Sequence, residues 1–330
     1  MSKMVTSFEP VKEYVYPSGS VYVMYNREND FYIETTSMQD VDTHNKSQEV
    51  IMSDDPKLIK CCLVPKEEKW LIAISTQFGC PQKCQFCLVP TLGFRGNLSR
   101  EQMWEQLEYV FSRSPEVTKS QKIKVGFARM GEPQYNWRNI LAVMRDMKSY
   151  RDGFRFLPCY NTILPKAKVE GKGPLDVIVD EVMPAKEFLD GFMHIQISVN
   201  STNEDERKFL FGGADVVTLE EMKHAFNGLP NNNRLVTLNF ICGAGWELDP
   251  RKLEGFDPSV FCVKITPLNI TERTAANNLE DAIGWNWGRM GKIKQSISSC
   301  GLKVITDVAA KTELPLCCGN LVHDYKRHRP

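Results

Sequence analysis

The sequence lacks the features that direct a chain into or across a membrane. None of its 330 residues belongs to an uninterrupted apolar run approaching the roughly eighteen that a membrane span needs. The N-terminal residues contain no apolar stretch followed by small residues, so they do not resemble a secretory signal. The expected location is therefore cytoplasmic, with no membrane partner.

A charge excess of either sign is also absent, because lysine plus arginine and aspartate plus glutamate both total 41. Proteins that bind nucleic acids usually carry a strong basic excess. Here only residues 326–329 form a dense basic cluster. The charge balance disfavours RNA or DNA as the substrate, unless basic residues distant in sequence gather into a local patch.

The chain has no internal repeat and no low-complexity segment, and after residue 70 its pattern alternates strands with helices. Such alternation requires right-handed crossovers and a parallel sheet. The predicted strands are residues 70–75, 122–128, 154–159, 194–199, 235–242, 261–265 and 302–308. The predicted helices are one capped by Ser99 and Gln102, then residues 137–147, 174–189, 203–210, 218–229 and 280–300. Because a full barrel has eight units, the sequence predicts an α/β fold with a partial, TIM-like (β/α)6 barrel.

A small N-terminal β appendage is expected ahead of this barrel. Residues 21–25 and 30–35 are typical of a hairpin, residues 36–50 of a loop, and residues 58–64 of a further strand. The predicted division is 1–69 for the appendage, 70–310 for the barrel and 311–330 for a tail that carries Cys317 and Cys318.

Eleven cysteines are more than packing requires in a chain expected to be cytoplasmic. An odd count with clustered spacing indicates metal or redox chemistry rather than a disulfide framework. Several cysteines lie in or beside apolar runs and are interpreted as small buried hydrophobic residues: Cys61, Cys62, Cys159, Cys242, Cys262 and Cys300.

Three other cysteines stand together in the segment GCPQKCQFC, residues 79–87, after the first barrel strand. Strand ends of this kind carry the active sites of parallel α/β folds. A cubane cluster has four irons, so three protein ligands leave one iron open to an exchangeable ligand. The amino and carboxylate groups of S-adenosylmethionine (SAM) suit that iron, and an electron from the cluster can then break the sulfonium C–S bond.

A structural zinc site is the main alternative, but it normally uses four ligands in two spaced pairs. The chain has no second CxxC or HxxxH pair. Three unrelated core cysteines are a weaker alternative, because polar residues flank all of them. The sequence therefore predicts a [4Fe–4S] cluster on Cys80, Cys84 and Cys87, with Phe86 placed to pack on the adenine of SAM.

These motifs resemble the radical SAM superfamily, and within it the RlmN/Cfr adenine methyltransferase family. The elements that carry the resemblance span about residues 55–322: the cysteine triplet, GFARMGEP at 126–133, Asn136, SVN at 198–200 with Asp205 and Arg207, ITPLN at 265–269 and CGNL at 318–321. The SAM contacts that the resemblance implies are Gly131 and Glu132 for the amino group, Ser198 and Asn200 for the ribose or carboxylate, Asn269 for the adenosine part, and Asn161 or Thr162 in place of a serine.

The resemblance also implies a role for Cys318, which matches the family's methyl-accepting cysteine. In that family a radical from a second SAM abstracts hydrogen from the methyl group, and the resulting carbon radical attacks the substrate. The alternative for Cys318 is a buried cysteine of the tail.

Three features depart from the family. Ala73 stands where the family has a second cysteine that resolves the covalent adduct, and Lys60 stands where it has a proton-accepting glutamate. Alanine cannot relay a proton, and lysine reverses the charge. About twenty residues precede the first predicted strand, too few for the family's helical RNA-binding domain. The sequence does not select among the cysteines that could replace the resolving one: Cys317, Cys61, Cys62 and Cys159.

The sequence thus predicts a radical SAM enzyme with two mechanisms open. In the first, Cys318 transfers a methyl or methylene group to a small molecule, nucleotide, peptide or RNA other than ribosomal RNA. In the second, the 5′-deoxyadenosyl radical abstracts hydrogen from the substrate without methylation. A non-catalytic binding module is disfavoured, because a binder needs no open iron. Either enzyme requires a reductase such as flavodoxin or ferredoxin as its electron donor.

Overall fold

The computed structural model describes residues 6–42, 55–230, 233–284, 286–306 and 317–328. Its strands are β1 (Phe8–Tyr16), β2 (Gly19–Asn26), β3 (Phe31–Gln39), β4 (Trp70–Ile74), β5 (Gln77–Gly79), β6 (Phe94–Asn97), β7 (Ser120–Phe127), β8 (Phe154–Thr162), β9 (His194–Ser198), β10 (Val236–Cys242), β11 (Phe261–Pro267) and β12 (Lys303–Thr306). Ten of them form one sheet in the order β1-β2-β3-β4-β7-β8-β9-β10-β11-β12, and β5 pairs with β6 separately.

The helices are α1 (Pro56–Lys60), α2 (Arg100–Ser112), α3 (Trp137–Asp146), α4 (Pro174–Val177), α5 (Met183–Phe188), α6 (Glu204–Leu210), α7 (Leu219–Phe226), α8 (Glu272–Ala276), α9 (Trp287–Ser298) and α10 (Asn320–Arg327). A π-helical turn, Ile178–Val182, joins α4 to α5. Among the described residues, no helix has the length and apolar character needed to cross a bilayer.

The parallel sheet confirms the predicted fold class. β4 and β7 to β12 pair in parallel in chain order, which gives seven strands and six crossovers. Within the described part of the chain the sheet is open, with β1 and β12 at its edges. The predicted capping box at the start of α2 is present, since Ser99 and Gln102 exchange hydrogen bonds.

Alternation of side chains gives the parallel strands two different faces. One face is apolar and packs in the hydrophobic core, with Ile72, Val125, Ile197 and Leu238 fully or almost fully buried. The opposite face is termed the inner face, and its residues are neighbours across the strand pairs. Strand by strand, from β4 and then β7 to β12, they are Leu71 and Ala73; Lys124 and Gly126; Leu157, Cys159 and Asn161; His194, Gln196 and Ser198; Thr237 and Asn239; Cys262, Lys264 and Thr266; and Lys303 and Ile305.

The N-terminal hairpin is confirmed, because β2 pairs antiparallel with β3. β3 also pairs with β4, so the N-terminal strands continue the main sheet. The loop predicted over residues 36–50 begins only after Gln39, because β3 extends to that residue. Residues 43–50 of the predicted loop lie outside the described residues. The domain divisions at residues 69 and 310 stay a prediction.

The strand predicted over residues 58–64 is wrong, since α1 occupies Pro56–Lys60. The Asp55 carboxylate accepts from the amide of Lys57 at 2.9 Å, and Pro56 stands at the first helical position. A capping aspartate followed by proline favours a helix start. Leu63 forms only an isolated bridge with Val41.

The helix predicted over residues 280–300 begins later, at Trp287. The preceding residues run along the end of β10 instead: the amide of Ala282 donates to Cys242 at 3.0 Å, and that of Ala244 donates to Glu280 at 2.7 Å. The Asp281 carboxylate accepts from the amide of Leu268 at 3.0 Å. These contacts hold the segment in a non-helical conformation. The last predicted strand is present as β12, while residues 307 and 308 lie outside the described residues.

Candidate active site

The three clustered cysteines lie in the loop between β5 and β6, at the C-terminal end of β4. Gly79 turns the chain into this loop with a φ of 82°, and a Cβ there would collide with the carbonyl of Gly93. The amide of Cys80 donates to the same carbonyl at 3.3 Å. The turn therefore requires glycine, and it fixes the start of the loop.

Backbone carbonyls of the loop accept hydrogen bonds from residues that follow β11, a strand far from β4 in the order of the sheet. Arg273, in α8, donates from Nε to Cys84 at 2.9 Å and from Nη2 to Lys83 at 3.2 Å. Asn277 donates to the carbonyl of Gln85 at 2.7 Å. The amide of Gln85 in turn donates to Leu210 at the end of α6, at 2.8 Å. Two helices thus hold the middle of the loop.

The thiols of the loop lie in a water-poor environment. Cys84 is buried, and Cys80 and Cys87 are half-buried. Burial, followed by repulsion from Cys318, raises the pKa of Cys87 to about 12, and burial raises the pKa of Cys80 and Cys84 as well. Since iron binds thiolates, loading of a cluster would release protons from this loop.

Within the described ranges, no group of three or more His, Cys, Asp or Glu side chains surrounds a single-ion position. A cubane places its cysteine ligands on separate irons. The donor set of the loop, three thiols with no acidic or histidine neighbour in residues 79–88, suits iron and sulfide.

Gly131 and Glu132 follow β7 and lie against the start of the cysteine loop. Gly131 has a φ of 111°, and a Cβ on it would lie 2.7 Å from Cγ of Gln77. The amide of Glu132 donates to Oε1 of Gln77 at 2.8 Å. Residues 131–133, termed the GEP element, are thereby joined to the residues that lead into the cysteine loop.

The carboxylate of Glu132 is buried and accepts three hydrogen bonds. The Thr162 hydroxyl and the amide of Gln134 donate to Oε1, and the amide of Ile163 donates to Oε2 at 3.2 Å. A carboxylate has about four acceptor sites, so Oε2 keeps one for a further donor. Burial raises the pKa of Glu132 to about 7, and these hydrogen bonds oppose the rise. A cationic ligand would stabilise its charged form.

The two candidates for the missing serine face different surroundings. Thr162 contacts Glu132, as described. Asn161 lies on the inner face beside Gly126 and donates to the carbonyl of Cys159 at 3.1 Å. Thr162 therefore lies next to Glu132 of the GEP element, whereas Asn161 lies on the inner face beside Gly126.

The next strand ends carry Ser198, Asn200 and Asn269. Ser198 is half-buried at the end of β9. Asn200 follows with a φ of 66°, and its Oδ1 accepts from the amide of Ile241 at 3.1 Å. Its Nδ2 is buried without a hydrogen-bond partner. A buried unpaired amide is costly, so this donor is suited to a ligand. Asn269 is exposed after β11.

Three other motif residues support the framework. Asn136 donates to the carbonyls of Thr76 and Leu98 at 2.7 and 2.8 Å, which ties the β5–β6 ladder to the end of β7. Arg207 is buried and donates to the carbonyl of Val217 at 3.0 Å. Phe86 packs edge-on against Phe211, with ring centroids 6.2 Å apart, and Asp205 is exposed on α6.

Cys318 lies at the end of β7, beside the cysteine loop. Its Sγ is 3.4 Å from the carbonyl of Ala128 and 4.0 Å from Nη1 of Arg129. Its charge raises the pKa of both Cys80 and Cys87, although burial is the larger cause for each. Burial raises the pKa of Cys318 itself, and Arg129 opposes that rise. The structure thus brings the tail cysteine to the predicted cluster site.

A buried ion pair holds Cys318 there. Nη2 of Arg129 lies 2.7 Å from Oε2 of Glu34, and the two side chains are 6% and 0% exposed. Glu34 also accepts from the amides of Gly319, Leu321 and Val322 at 2.9–3.0 Å, at the start of α10. A carboxylate at a helix N-terminus is well placed electrostatically. Strand β3 and the end of β7 therefore fix the tail jointly.

Sequence reasoning missed both Glu34 and Arg129. The available signal was an acidic residue inside the aromatic and β-branched run 31–36, which is unusual for a strand that is buried throughout. Lys60, which takes the family's glutamate position by spacing, is exposed at the end of α1. Ala73 lies in β4, paired with Thr36 of β3 and Gly126 of β7.

The chain is similar in sequence to proteins named RlmN. It is 25% identical over 280 residues to the dual-specificity RNA methyltransferase RlmN of Desulfosudis oleivorans, which covers 83% of this chain and 70% of that protein. It is 26% identical over 297 residues to the probable RlmN of Chlorobaculum tepidum, at 87% and 74% coverage. A 39% identical match to the probable RlmN of Chlorobium chlorochromatii spans 95 residues, 29% of this chain and 26% of that relative. No protein-family model matches the chain.

The fold is similar to a solved structure described as a radical SAM methyltransferase from Sphaerobacter thermophilus. The TM-score is 0.66 at 18% identity, covering 96% of this chain and 81% of that one. The chain resembles radical SAM methyltransferases in sequence and in fold. These similarities imply a [4Fe–4S] cluster and SAM as cofactors, in agreement with the sequence prediction.

The residues at the strand ends fit these cofactors. The loop offers three thiols, Glu132 has a free acceptor site, and Asn200 has a buried donor without a partner. Because Gly131 has no side chain, the backbone of the GEP element can lie directly against Gln77. A ligand with an ammonium group and a carboxylate, such as SAM, could donate to Glu132 and accept from Asn200.

Proposed function

We propose that this protein is a radical SAM enzyme that uses Cys318 as a carbon carrier toward a substrate other than ribosomal RNA. The observation that carries the proposal is the position of Cys318, 3.4 Å from the carbonyl of Ala128 and electrostatically coupled to Cys80 and Cys87. A tail cysteine with a purely structural role has no reason to be held beside three clustered thiols by a buried ion pair.

Each part of the strand-end site has a separate task in this proposal. Cys80, Cys84 and Cys87 hold the cluster, which when bound supplies the electron that cleaves SAM to a 5′-deoxyadenosyl radical. Glu132 accepts a hydrogen bond from the SAM amino group, and Asn200 donates from its unpaired Nδ2. Ser198, Asn161 and Asn269 complete the surroundings of the ribose and adenine.

Cys318 must be a thiolate when it accepts a methyl group, since the thiol is a poor nucleophile. Burial opposes its ionisation, whereas the guanidinium of Arg129 favours it. Glu34 is an unsuitable base for this proton, because three amides and Arg129 occupy its oxygens. We therefore assign Glu34 and Arg129 to positioning of Cys318.

A second thiol is needed if a carbon bridge forms between Cys318 and the substrate. Among the four candidate cysteines, Cys159 lies in the same row of the inner face as Ala73, with Gly126 between them. Gly126 leaves that row open, since no side chain separates the two positions. The other three candidates lie outside the strands of the inner face: Cys61 is exposed and Cys62 is buried just after α1, and Cys317 lies in the tail. We propose Cys159 as the resolving thiol.

The proposal is tested by reconstituting the cluster anaerobically and adding methyl-deuterated SAM. Mass analysis of the peptide containing Cys317 and Cys318 should find one trideuterated methyl group on Cys318. Cys317→Ala should keep the label and Cys318→Ala should lose it. An unlabelled peptide from protein with an intact cluster would contradict the carrier role.

The alternative, direct hydrogen abstraction from the substrate, gives different results in the same protein. It expects deuterium to move from a labelled substrate into 5′-deoxyadenosine, and it expects Cys318→Ala to keep full activity. Cys159→Ser separates the mechanisms further. Under the carrier proposal this variant still methylates Cys318 but stops after the first attack on the substrate.

A further inference from the structure

The cysteine loop and the two short strands that flank it carry positive charge only. In residues 77–97, termed the cluster hairpin, the charged residues are Lys83 and Arg95, and no aspartate or glutamate occurs from residue 69 to residue 100. Both side chains are exposed, and neither forms an ion pair with a described residue. The cluster hairpin is therefore a cationic surface in a chain that has no net charge.

The segments packed against the cluster hairpin do not cancel this charge. Arg273 adds a third cation, since it donates to the carbonyls of Lys83 and Cys84. Helix α6 contacts the hairpin with its C-terminal end, whereas its three acidic residues stand in its first turn. The carboxylates of the other contacting segments are buried or already have partners: Glu132, Glu272 with Arg327, and Asp324 with Tyr14.

Phe94 gives the same surface an exposed aromatic ring. It is the first residue of β6 and is 40% exposed, and the exposed Arg95 follows it. No residue of β6 is buried, and β5 is the strand's only partner in the described part of the chain. Aromatic residues and arginine are enriched at protein–protein interfaces. These features are typical of a docking surface.

The surface residues are connected to the predicted cluster ligands by short paths. The amide of Cys80 donates to the carbonyl of Gly93 at 3.3 Å, and Gly93 immediately precedes Phe94. Lys83 immediately precedes Cys84. A redox protein that contacts Phe94 and Lys83 would therefore lie close to two of the three ligand cysteines.

We propose that the cluster hairpin is the docking surface of the electron donor, a small acidic flavin or iron–sulfur protein, with Lys83 and Arg95 as its cationic contacts and Phe94 as its apolar contact. The inference rests on the proposed function, which requires a reductant, and names the partner's chemistry and its surface. In the docked complex the donor gives one electron to the bound cluster and is itself oxidised by one electron. Opposite charges accelerate such encounters, and redox complexes commonly use small interfaces, below about 1,200 Å².

An acidic protein fits this surface better than a nucleic acid. A nucleic acid gains affinity from many phosphate contacts, each made by a lysine or arginine. The cluster hairpin offers two exposed cations, and Arg273 beside it is half-buried. A transient contact with a small protein needs no more charge than this.

Binding is measured first, by calorimetry of the reconstituted protein with an oxidised flavodoxin and with an oxidised plant-type ferredoxin. Lys83→Gln and Arg95→Gln should each weaken binding about threefold to tenfold, and added salt should weaken binding to the wild type more than to the double variant. Carbodiimide cross-linking should join a donor carboxylate to Nζ of Lys83. Lys292→Gln, which removes an exposed charge on α9, is the matched control and should change nothing.

SAM cleavage then separates docking from a role in holding the cluster. With a reduced donor protein, Lys83→Gln, Arg95→Gln and Phe94→Ser should all slow cleavage. With dithionite, a small reductant that needs no docking surface, the same variants should cleave SAM at the wild-type rate. Phe188→Ser, which removes a ring 49% exposed on α5, is the matched control for Phe94→Ser.

Any of three results would overturn the inference: neither donor protein binds, the variants keep full binding, or they lose dithionite-driven cleavage as much as donor-driven cleavage. A single-stranded RNA that displaces both donor proteins from the hairpin would overturn it as well. Absence of cleavage by the wild type with dithionite contradicts the proposed function instead. Binding and cross-linking still decide the docking surface in that case, because neither depends on turnover.

Discussion

The cysteine loop and the Cys318 segment meet at the same strand ends but are held in different ways. Arg273, Asn277, Leu210 and Gly93 all bond to the backbone of the loop, so no single contact determines its position. Next to Cys318, the amides of Gly319, Leu321 and Val322 all bond to one carboxylate, Glu34, which pairs with Arg129. Further along α10, Tyr14 bonds to Asp324 at 2.8 Å and Thr91 to His323 at 2.6 Å. The comparison suggests that the loop tolerates loss of any one supporting contact to its backbone, whereas placement of Cys318 is more sensitive to loss of Glu34 or Arg129.

The two buried carboxylates near the site differ in the same sense. Glu34 uses its full accepting capacity on Arg129 and the start of α10. Glu132 accepts three hydrogen bonds and keeps one site open. Glu34 is thus suited to hold structure and Glu132 to bind a ligand.

The largest effect should come from the loop's own thiols. Cys84→Ser removes a cluster ligand, so we expect iron content and SAM cleavage to fall well beyond the roughly hundredfold typical of outer-shell substitutions. Absorbance of the reconstituted protein and yield of 5′-deoxyadenosine measure this. Cys300→Ser, half-buried beside α9, should behave as the wild type. Equal activity of the two variants would contradict the claim that the cysteine loop holds the cluster.

Breaking the ion pair should cost less but act more selectively. Arg129→Met leaves Glu34 buried without its cation, which we expect to lower the free energy of unfolding by about 3–5 kcal/mol. Methylation of Cys318 should fall while SAM cleavage per cluster persists. Urea denaturation and peptide mass analysis measure the two effects. Arg27→Met, which breaks the exposed pair with Glu9, is the control and should leave both nearly unchanged.

The stability of the cluster-free protein should depend on pH through Glu132. Its pKa is raised by burial to about 7 from an ordinary 4.5, so the folded state holds a proton that the unfolded state releases. The associated stability is complete below pH 4.5 and is lost as pH rises through 7, by about 3 kcal/mol. Glu132→Gln should lack this component. Identical pH profiles of the two proteins, measured by denaturation at pH 5 and 8, would contradict the assignment.

The smallest effect is expected at a single contact of the loop. Arg273→Gln removes two hydrogen bonds to carbonyls of the loop, and we expect a loss of about 1–2 kcal/mol in stability. The cluster should still form, since Asn277 and Leu210 keep their contacts. Loss of the cluster in this variant would show that the loop is held no more redundantly than Cys318.

Sequence reasoning succeeded where the determining signal is local. The spacing of Cys80, Cys84 and Cys87 and the alternation of strands with helices are readable within short windows. It failed at α1 because an apolar run of 58–64 resembles a strand, and the cap at Asp55 was not recognised. It failed at residues 280–282 because their hydrogen bonds go to the end of β10 and to Leu268, which periodicity does not report.

The candidate site was predictable in part for the same reason. Motif residues could be assigned one by one, but the pairing of Glu34 with Arg129 joins β3 to the end of β7 and is set by the order of strands in the sheet. The selection of Cys159 from four cysteines likewise depends on strand register. Such contacts follow from the fold and not from any local pattern.

Anaerobic reconstitution with iron and sulfide, followed by dithionite and SAM, tests the central claim most directly. The account predicts a [4Fe–4S] spectrum, and 5′-deoxyadenosine formed in the wild type but not in Cys84→Ser. Protein that takes up a single four-coordinate zinc instead, or that holds a cluster without cleaving SAM, would contradict it.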